Sequence, residues 1–564
     1  MNDRDFSTAD PIIEPPARLS SLDEVSWDVE TDMLVVGFGG AGASAAIEAH
    51  DLGLDVVIAD RFAGGGATAY SGGIHYAGAT RVQADAGVQD SVTDMFHYLK
   101  MEIGDAVGEE TLHRFCEESA TNIEWLQSLG VRFGGNPYTS KTVYPPDGHY
   151  LYYSGNEPLP AYAEKAMPAV RGHRVVGKGY TGHLYFATML NAVQQRSIPV
   201  LRHMRVVKLL QDAAGRVVGV EALALPAEEQ KEHLRLYGKV APMPFSFRKA
   251  ETAIAKARAL ENAKGQRVRI RARTGVVLAT GGFCYNTDML KAHMPDYADF
   301  APAMLRMGSM GCDGSGIQLG QSVGGEGRKL ANSFYGRIIS PPSAFVEGIV
   351  VNRLGRRFYN EDAYNAELGE AIAKQPDGMA WLILDNATWR KLRAQLLPKG
   401  DGQFLQWYLP ALANVLLGGS RKGRTLDALA KKCRIDPAGL REEVLHGRNL
   451  LAQGQGDPLG KSASYFRAVG EGPYHAINLS VWNKFVLAPF LTLGGLAVDE
   501  TTSEVLTVEG GTIQGLYAVG RAAIGVCANR YMSGMSLSDS VFSGRRAARH
   551  AAGGSGGHSA HPAP

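Results

Sequence analysis

The chain has 564 residues, of which 45% are apolar and 20% charged, with a formal net charge of +1 at neutral pH. That length favours two domains over one, the composition is that of an ordinary globular protein, and the balanced charge excludes a chain built around nucleic acid or an anionic membrane surface. The expected partner is a small molecule. Five cysteines, Cys116, Cys284, Cys312, Cys433 and Cys527, stand far apart with no pair at metal-ligand or redox spacing. Each reads as a buried apolar residue in a reducing cytoplasm, and no metal site is expected. The polar start MNDRDFSTADPIIEPPARLS carries no signal-peptide pattern, and no stretch is apolar and long enough to span a bilayer.

In chain order, DMLVVGFGGAGASAAIEAHDLGLDVVIAD reads as a strand, a glycine turn, an Ala-rich helix and a second strand ending in Asp60. Gly37 allows the tight turn, Gly39 lets a pyrophosphate approach the helix N-terminus formed with Gly40 and Ala41, and Gly42 lets the helix pack on the strand. Asp60 is placed to accept hydrogen bonds from an adenosine ribose, with Arg61 beside it. The unit is therefore a Rossmann-type dinucleotide fold. RFAGGGATAYSGGIHYAGAT follows at once, a second glycine loop that in flavoproteins wraps pyrophosphate and flavin, which makes Ala67, Thr68, Ser71, Gly72 and Gly73 cofactor candidates. Val207 is assigned to the same site on the strand-like run HMRVVKLL. RTGVVLATGGF adds Ala279, Thr280 and Gly281, and IQGLYAVGRAAIG adds Gly520 and Arg521 on a strand that returns before the last helix, whose start carries Ser536 and Leu537. Four elements in this order select FAD over NAD.

About forty residues, 226–264, interrupt two strand-like runs that would otherwise pair through a short turn. RKAETAIAKARALENAKG reads as a basic helix and VAPMPFSF as exposed apolar groups. A surface helix packed on its own domain or on a dimer partner is one reading, and peripheral contact with an anionic membrane is the other. The tail 552–564 reads as a flexible Gly/Ser end.

Taken together, these motifs, with GSMGCDGSGIQLG (308–320) and GIVVNRLGRRFYNEDAY (348–364), resemble the fumarate reductase and 3-ketosteroid dehydrogenase superfamily of FAD proteins. The resemblance implies an α/β fold with an α+β cap, like glutathione reductase and fumarate reductase. A discontinuous FAD domain would comprise 1–290 and 471–551, with a catalytic capping domain at 291–470 between them. It also implies noncovalent FAD, because the His that precedes the Gly-Gly pair in covalent members is replaced by Gly66, and His75 lies beyond that pair.

Three cations of the dicarboxylate reductases can be sought in this sequence. After RFYNE the chain reads Asp362, Ala363, Tyr364, Asn365 with no Arg, FVLAPFLTLGGLAVD has no His before its Gly-Gly pair, and only Arg530 survives. A doubly charged substrate entering a dry site must be paired, so this loss favours a neutral, apolar substrate. Before the final helix stands Tyr531-Met532-Ser533-Gly534, which resembles the Tyr-x-Ser-Gly of 3-ketosteroid 4-(5α)-dehydrogenases rather than the Tyr-Pro-Gly-Pro-Gly of the 1-dehydrogenases. By that resemblance Tyr531 is the acid/base at the carbon next to the ketone and Ser533 is hydrogen-bonded to its hydroxyl or relays the proton. Tyr364 is then the second active-site tyrosine, with Tyr335 and Tyr359 as competitors, and Gly534, Arg530 and Tyr335 are substrate contacts. Tyr474 and His475 read as a structural strand. Capping alone could explain the serines at this helix start. The implied reaction desaturates or reduces the A ring of a 3-ketosteroid, most simply the 4,5 bond, with an external electron acceptor, a quinone or another carrier. The alternatives are a 1-dehydrogenase, an enoate or dicarboxylate reductase, and a non-catalytic flavin-binding protein. The expected location is cytoplasmic, with the insertion as a peripheral contact on the inner membrane face.

Overall fold

A computed structural model describes residues 12–23, 25–240, 247–298, 304–365, 367–397 and 407–554. Strand β1 (Val29–Val36) runs into the glycine turn and helix α1 (Gly40–Asp51), and β2 (Val56–Ala59) returns parallel to β1. All four residues of β2 are buried, and α1 is buried from Gly40 to Ala49. Continuous apolar burial of this kind belongs to a parallel strand covered on both faces. β3 (Val200–Leu201) adds to β2 in parallel, while β4 (Met204–Gln211) and β5 (Val217–Ala224) form an antiparallel pair.

Helices α2 (Ala227–Tyr237) and α3 (Phe247–Lys264) then intervene before the long strand β6 (Gln266–Leu278). One edge of β6 takes β1 in parallel. The other is divided, its first half pairing antiparallel with β5 and Val276–Leu278 pairing parallel with β7 (Thr512–Ala518). Helix α4 (Met535–Gly554) packs on α1 and closes the layer. The discontinuous α/β fold is thus closed by a strand from near the end of the chain.

The insertion is not a free surface appendage. Leu236, Val240, Ala250, Ala253, Ile254 and Ala257 are buried in the main core, and the last four recur at helical spacing along one face of α3. The apolar anchor of the membrane reading falls chiefly on residues 241–246, outside the described residues, and Val240 at its edge is buried. No helix among the described residues is long and apolar enough to cross a membrane.

The cap is built on a four-stranded antiparallel sheet, ordered 349–351, 381–384, 474–478 and 421–423. Its extent corrects the expected boundary at 470. Tyr474–Asn478 lies between two cap strands, because the fully buried strand Trp381–Leu384 needs a partner on each side. A second small sheet joins Pro489–Thr492 to Leu305–Arg306 and Ser333–Tyr335, and only Glu504–Leu506 and β7 return to the large sheet.

Candidate active site

Gly37 has a left-handed backbone (φ 104°), and a Cβ there would stand 2.6 Å from the Ala279 carbonyl oxygen. A Cβ on Gly42 would stand only 1.9 Å from the Gly37 carbonyl oxygen. Gly39 differs. Its Cβ would meet nothing nearer than the Thr68 hydroxyl at 3.5 Å, and it faces a cavity of about 1360 Å³. Gly37, Gly39, Gly40 and Ala41 border this cavity at the start of α1, Asp60 and Arg61 at the end of β2, and Ala67, Thr68 and Ser71 along the second glycine loop. Ala279, Thr280, Gly281, Arg521, Ser536 and Leu537 complete the wall.

Several assigned residues serve this cavity differently from expectation. Asp60 accepts the backbone N–H groups of Phe38 (2.8 Å), Phe62 (2.8 Å) and Gly64 (3.1 Å), so its carboxylate shapes the loop and keeps about one of its roughly four acceptor sites for a ligand. The Arg61 guanidinium is consumed by Glu261 (2.7 and 2.9 Å) and Asp313 (2.6 Å). Val207 does not line the cavity, whereas Met204, Arg205 and Val206 just before it on β4 do. Gly73 (φ 65°) makes a turn against Thr181, and Gly520 (φ 57°) lets its strand end approach Ala41, so both act through packing. Gly72 lines a neighbouring cavity instead. His75 lines neither cavity, and burial pushes its pKa down to about 3.

The cysteines hold a surprise. All five are buried, but Cys284 and Cys312 are hydrogen-bonded neighbours, and Cys312 lies on the cavity wall. A Cβ on Gly308 would be 2.7 Å from one sulfur and 3.1 Å from the other. The burial of all five agrees with the expectation, and the contact between these two is an addition to it.

The cavity suits a nucleotide cofactor. Thr280 Oγ1 and both terminal nitrogens of Arg521 are buried without a hydrogen-bond partner among the described residues. Buried cationic donors of this kind require the carbonyl or phosphate oxygens that FAD carries. With the open space at Gly39 for a pyrophosphate, the residues present fit FAD.

A second cavity of about 760 Å³ adjoins the first and shares Ser71, Met307, Leu491, Tyr531 and Leu537 with it. Its lining is mostly apolar and aromatic, including Ile74, Val143, Ile338, Phe334, Tyr144 and Trp407. Among the described residues no Lys, Arg or His lines it. Tyr531, Ser533, Gly534 and Tyr364 converge there from the segment before α4 and from the cap. Burial raises the Tyr531 phenol to about 12, Arg521 pulling the other way, and the Tyr364 phenol is also raised, chiefly by burial. Ser533 Oγ accepts from the Tyr152 hydroxyl at 2.7 Å, and Ser533 also hydrogen-bonds with Tyr364, which lowers that phenol against the effect of burial; of its two expected roles, the bond to Tyr531 is not formed among the described residues.

The model of the FAD binding domain family matches residues 32–537 of the chain. The chain belongs to that family. A 3-oxo-5-alpha-steroid 4-dehydrogenase of Comamonas testosteroni is 38% identical over 91% of the chain and 96% of its own length. The crystal structure of a 3-ketosteroid-delta4-(5alpha)-dehydrogenase from Rhodococcus jostii RHA1 in complex with 4-androstene-3,17-dione superposes with a TM-score of 0.77, at 29% identity, over 96% of the chain and all of that one. A 3-ketosteroid delta1-dehydrogenase from Sterolibacterium denitrificans shares the fold, with a TM-score of 0.64 at 21% identity over 93% of the chain and all of its own. The protein is an FAD-dependent flavoprotein with the fold of the ketosteroid dehydrogenases and fumarate reductases.

Two substrate assignments on this flavoprotein need correction. Tyr335 is fully buried, accepts from Arg337 Nη2 at 3.2 Å, packs on Tyr297 and lines neither cavity. Strand alternation puts its neighbour Phe334 on the wall instead, against the Tyr531 ring at 5.2 Å. Arg530 does not enter the apolar cavity. It points into a third, polar cavity and pairs with Glu367 (3.1 Å) and Glu102 (3.8 Å). Its charge pairs the segment before α4 with the cap, outside the apolar cavity. Tyr359 is structural, its hydroxyl donating to the Tyr364 carbonyl at 2.8 Å, and His475 stacks on Trp389 in the cap.

Sequence reasoning missed the groups that position these side chains. Tyr152 sits on a two-residue strand of a small sheet with no motif around it. Tyr144 places its hydroxyl 2.8 Å from the carbonyls of Gly72 and Gly179 and pins the glycine loop. The Tyr364 N–H donates to Asn156 Oδ1 (2.6 Å), and Asn156 Nδ2 donates to Glu102 Oε1 (2.7 Å). Burial first, then repulsion by Glu367, raises Glu102 from 4.5 to about 7. A folded pKa above the unfolded value means that this carboxyl stabilises the fold below pH 4.5 and loses that contribution as pH rises through 7. Glu102→Gln keeps the accepting oxygen and cannot ionise. It is expected to gain stability relative to the parent between pH 4.5 and 8, by roughly 3 kcal/mol, read from urea midpoints. A pH-independent difference would contradict this.

Proposed function

We propose that the protein desaturates the A ring of 3-ketosteroids between carbons 4 and 5, removing a proton from the carbon beside the ketone and a hydride from the next. The observation that carries this reading is Tyr531 on the wall common to the cofactor cavity and a largely apolar cavity with no Lys, Arg or His among its described lining residues. A flat tetracyclic substrate lying there would present one carbon to the phenol and the adjacent one to the cofactor. Bound FAD supplies the hydride acceptor, and an external acceptor must then reoxidise it.

Tyr364, held protonated by burial, donates to the ketone oxygen as negative charge develops on it. Tyr531 acts as acid/base at carbon 4, with Arg521 favouring its phenolate. Ser533, hydrogen-bonded to both Tyr152 and Tyr364, links the two tyrosines and is placed to carry the abstracted proton onward. The apolar walls exclude water from these groups. The names of the Comamonas and Rhodococcus relatives support the 4,5 regiochemistry, as does the Tyr531-Met532-Ser533-Gly534 sequence. Noncovalent attachment is supported by Gly66 on the cavity wall and by His75 away from it.

The test is anaerobic addition of a saturated 3-ketosteroid to the holoenzyme. The yellow flavin absorbance is expected to bleach, and fumarate is expected not to restore it. A flavin that stays oxidised with the steroid, but is reoxidised by fumarate after chemical reduction, would favour the dicarboxylate alternative.

A further inference from the structure

The substrate cavity has two distinguishable ends. One is the wall shared with the cofactor cavity through Tyr531 and Leu537. The other shares only Ile338 and Trp407 with a small cavity of about 310 Å³ inside the cap. Trp407 therefore stands at the end away from the cofactor. It is 7% exposed, its ring meets Tyr180 edge-on at 6.3 Å, and its Nε1–H has no hydrogen-bond partner among the described residues. An indole N–H can only donate, and a buried one ordinarily finds an acceptor. The side-chain oxygens on this cavity wall, those of Tyr144, Tyr180 and Asn365 among them, make no hydrogen bond to that N–H, and Val143, Ile338 and Pro489 offer none.

We propose that Trp407 is a specificity-determining residue that reads an oxygen at the far end of the steroid. The inference rests on the reading under Proposed function, which places the 3-ketone at Tyr531, Ser533 and Tyr364. The rigid four-ring nucleus then carries the substituent on carbon 17 to the opposite end, where a 17-oxo or 17-hydroxy oxygen accepts the Trp407 N–H. A steroid bare at carbon 17 leaves that donor buried and unpaired, and a hydrocarbon side chain must displace the indole to reach the small cavity behind it. The substrate class is thus 3-ketosteroids already stripped of their side chain, so a side-chain-removing reaction must supply them.

The experiment compares 5α-androstane-3,17-dione with 5α-androstan-3-one, which lacks the 17-oxygen. The parent is expected to show kcat/KM about tenfold higher for the dione, the scale of one hydrogen bond, and Trp407→Phe is expected to bring the ratio close to one. The corresponding 4-ene ketones, titrated against the flavin absorbance, are expected to give the same ratio in Kd without turnover. No preference in the parent, or the same preference in Trp407→Phe, would overturn the proposal. Should the variant not fold, the two parent ratios decide. A tenfold Kd ratio without turnover of either saturated steroid would instead contradict the desaturation reading and leave the Trp407 contact standing.

Discussion

Replacing Tyr531 by Phe is expected to lower kcat by ~100-fold or more, the scale of a lost general acid-base contribution, while the enzyme keeps its flavin. The ring of Tyr531 packs on Phe334 at 5.2 Å, and the substitution preserves that contact and removes only the hydroxyl. KM should therefore move little, since the cavity keeps its shape and its apolar walls. A burial-raised phenol is costly to ionise without help, and Arg521 is the cation that favours the charged form. If Tyr531 merely lined a pocket, turnover by Tyr531→Phe would match the parent, and the flavin-binding scaffold alternative would gain.

The second large effect separates two glycines that the motif treats alike. Gly42→Ala would place a methyl 1.9 Å from a backbone oxygen, which no side-chain rotation relieves. Overpacking of that severity costs upwards of ~1–3 kcal/mol at the buried start of α1, and the variant is expected to yield little soluble protein and no flavin. Gly39→Ala meets no atom nearer than 3.5 Å and is expected to fold with near-parental thermal stability. Its methyl would occupy the space offered to the pyrophosphate, so flavin affinity should fall by roughly 100-fold, as when two charge-assisted hydrogen bonds are lost. Flavin-to-protein ratios and melting curves of the two variants check this. Equal behaviour of the pair would contradict the separation of packing from cofactor roles.

Local patterns were the legible part of the molecule. The strand, glycine turn and helix from Val29 to Asp51 are specified by residues adjacent in sequence, and the second glycine loop and the Ala279-Thr280-Gly281 turn are equally local. Strand faces were less so. Tyr335 fell one residue from the cavity-lining Phe334, because a period of two turns a one-residue misplacement into the opposite face, and Val207 lies just past the lining run Met204 to Val206. Arg530 illustrates a different limit. Sequence showed a cation beside Tyr531, but only the fold brings Glu367 from the cap and Glu102 from the N-terminal part to neutralise it. Tyr152 and Trp407 were invisible for the same reason, since their significance is a neighbour hundreds of residues away or a cavity that several segments enclose. The cap boundary moved because Tyr474–Asn478 answers the pairing needs of a strand about ninety residues earlier.

The desaturation claim is tested most directly by product analysis. The holoenzyme is incubated with a saturated 5α-3-ketosteroid and an artificial electron acceptor, and the steroid is recovered for mass spectrometry and NMR. The account predicts loss of two hydrogens with the new double bond between carbons 4 and 5. A 1-ene product would contradict the regiochemistry read from Tyr531, Ser533 and Gly534, and unchanged steroid alongside an oxidised flavin would contradict the function itself.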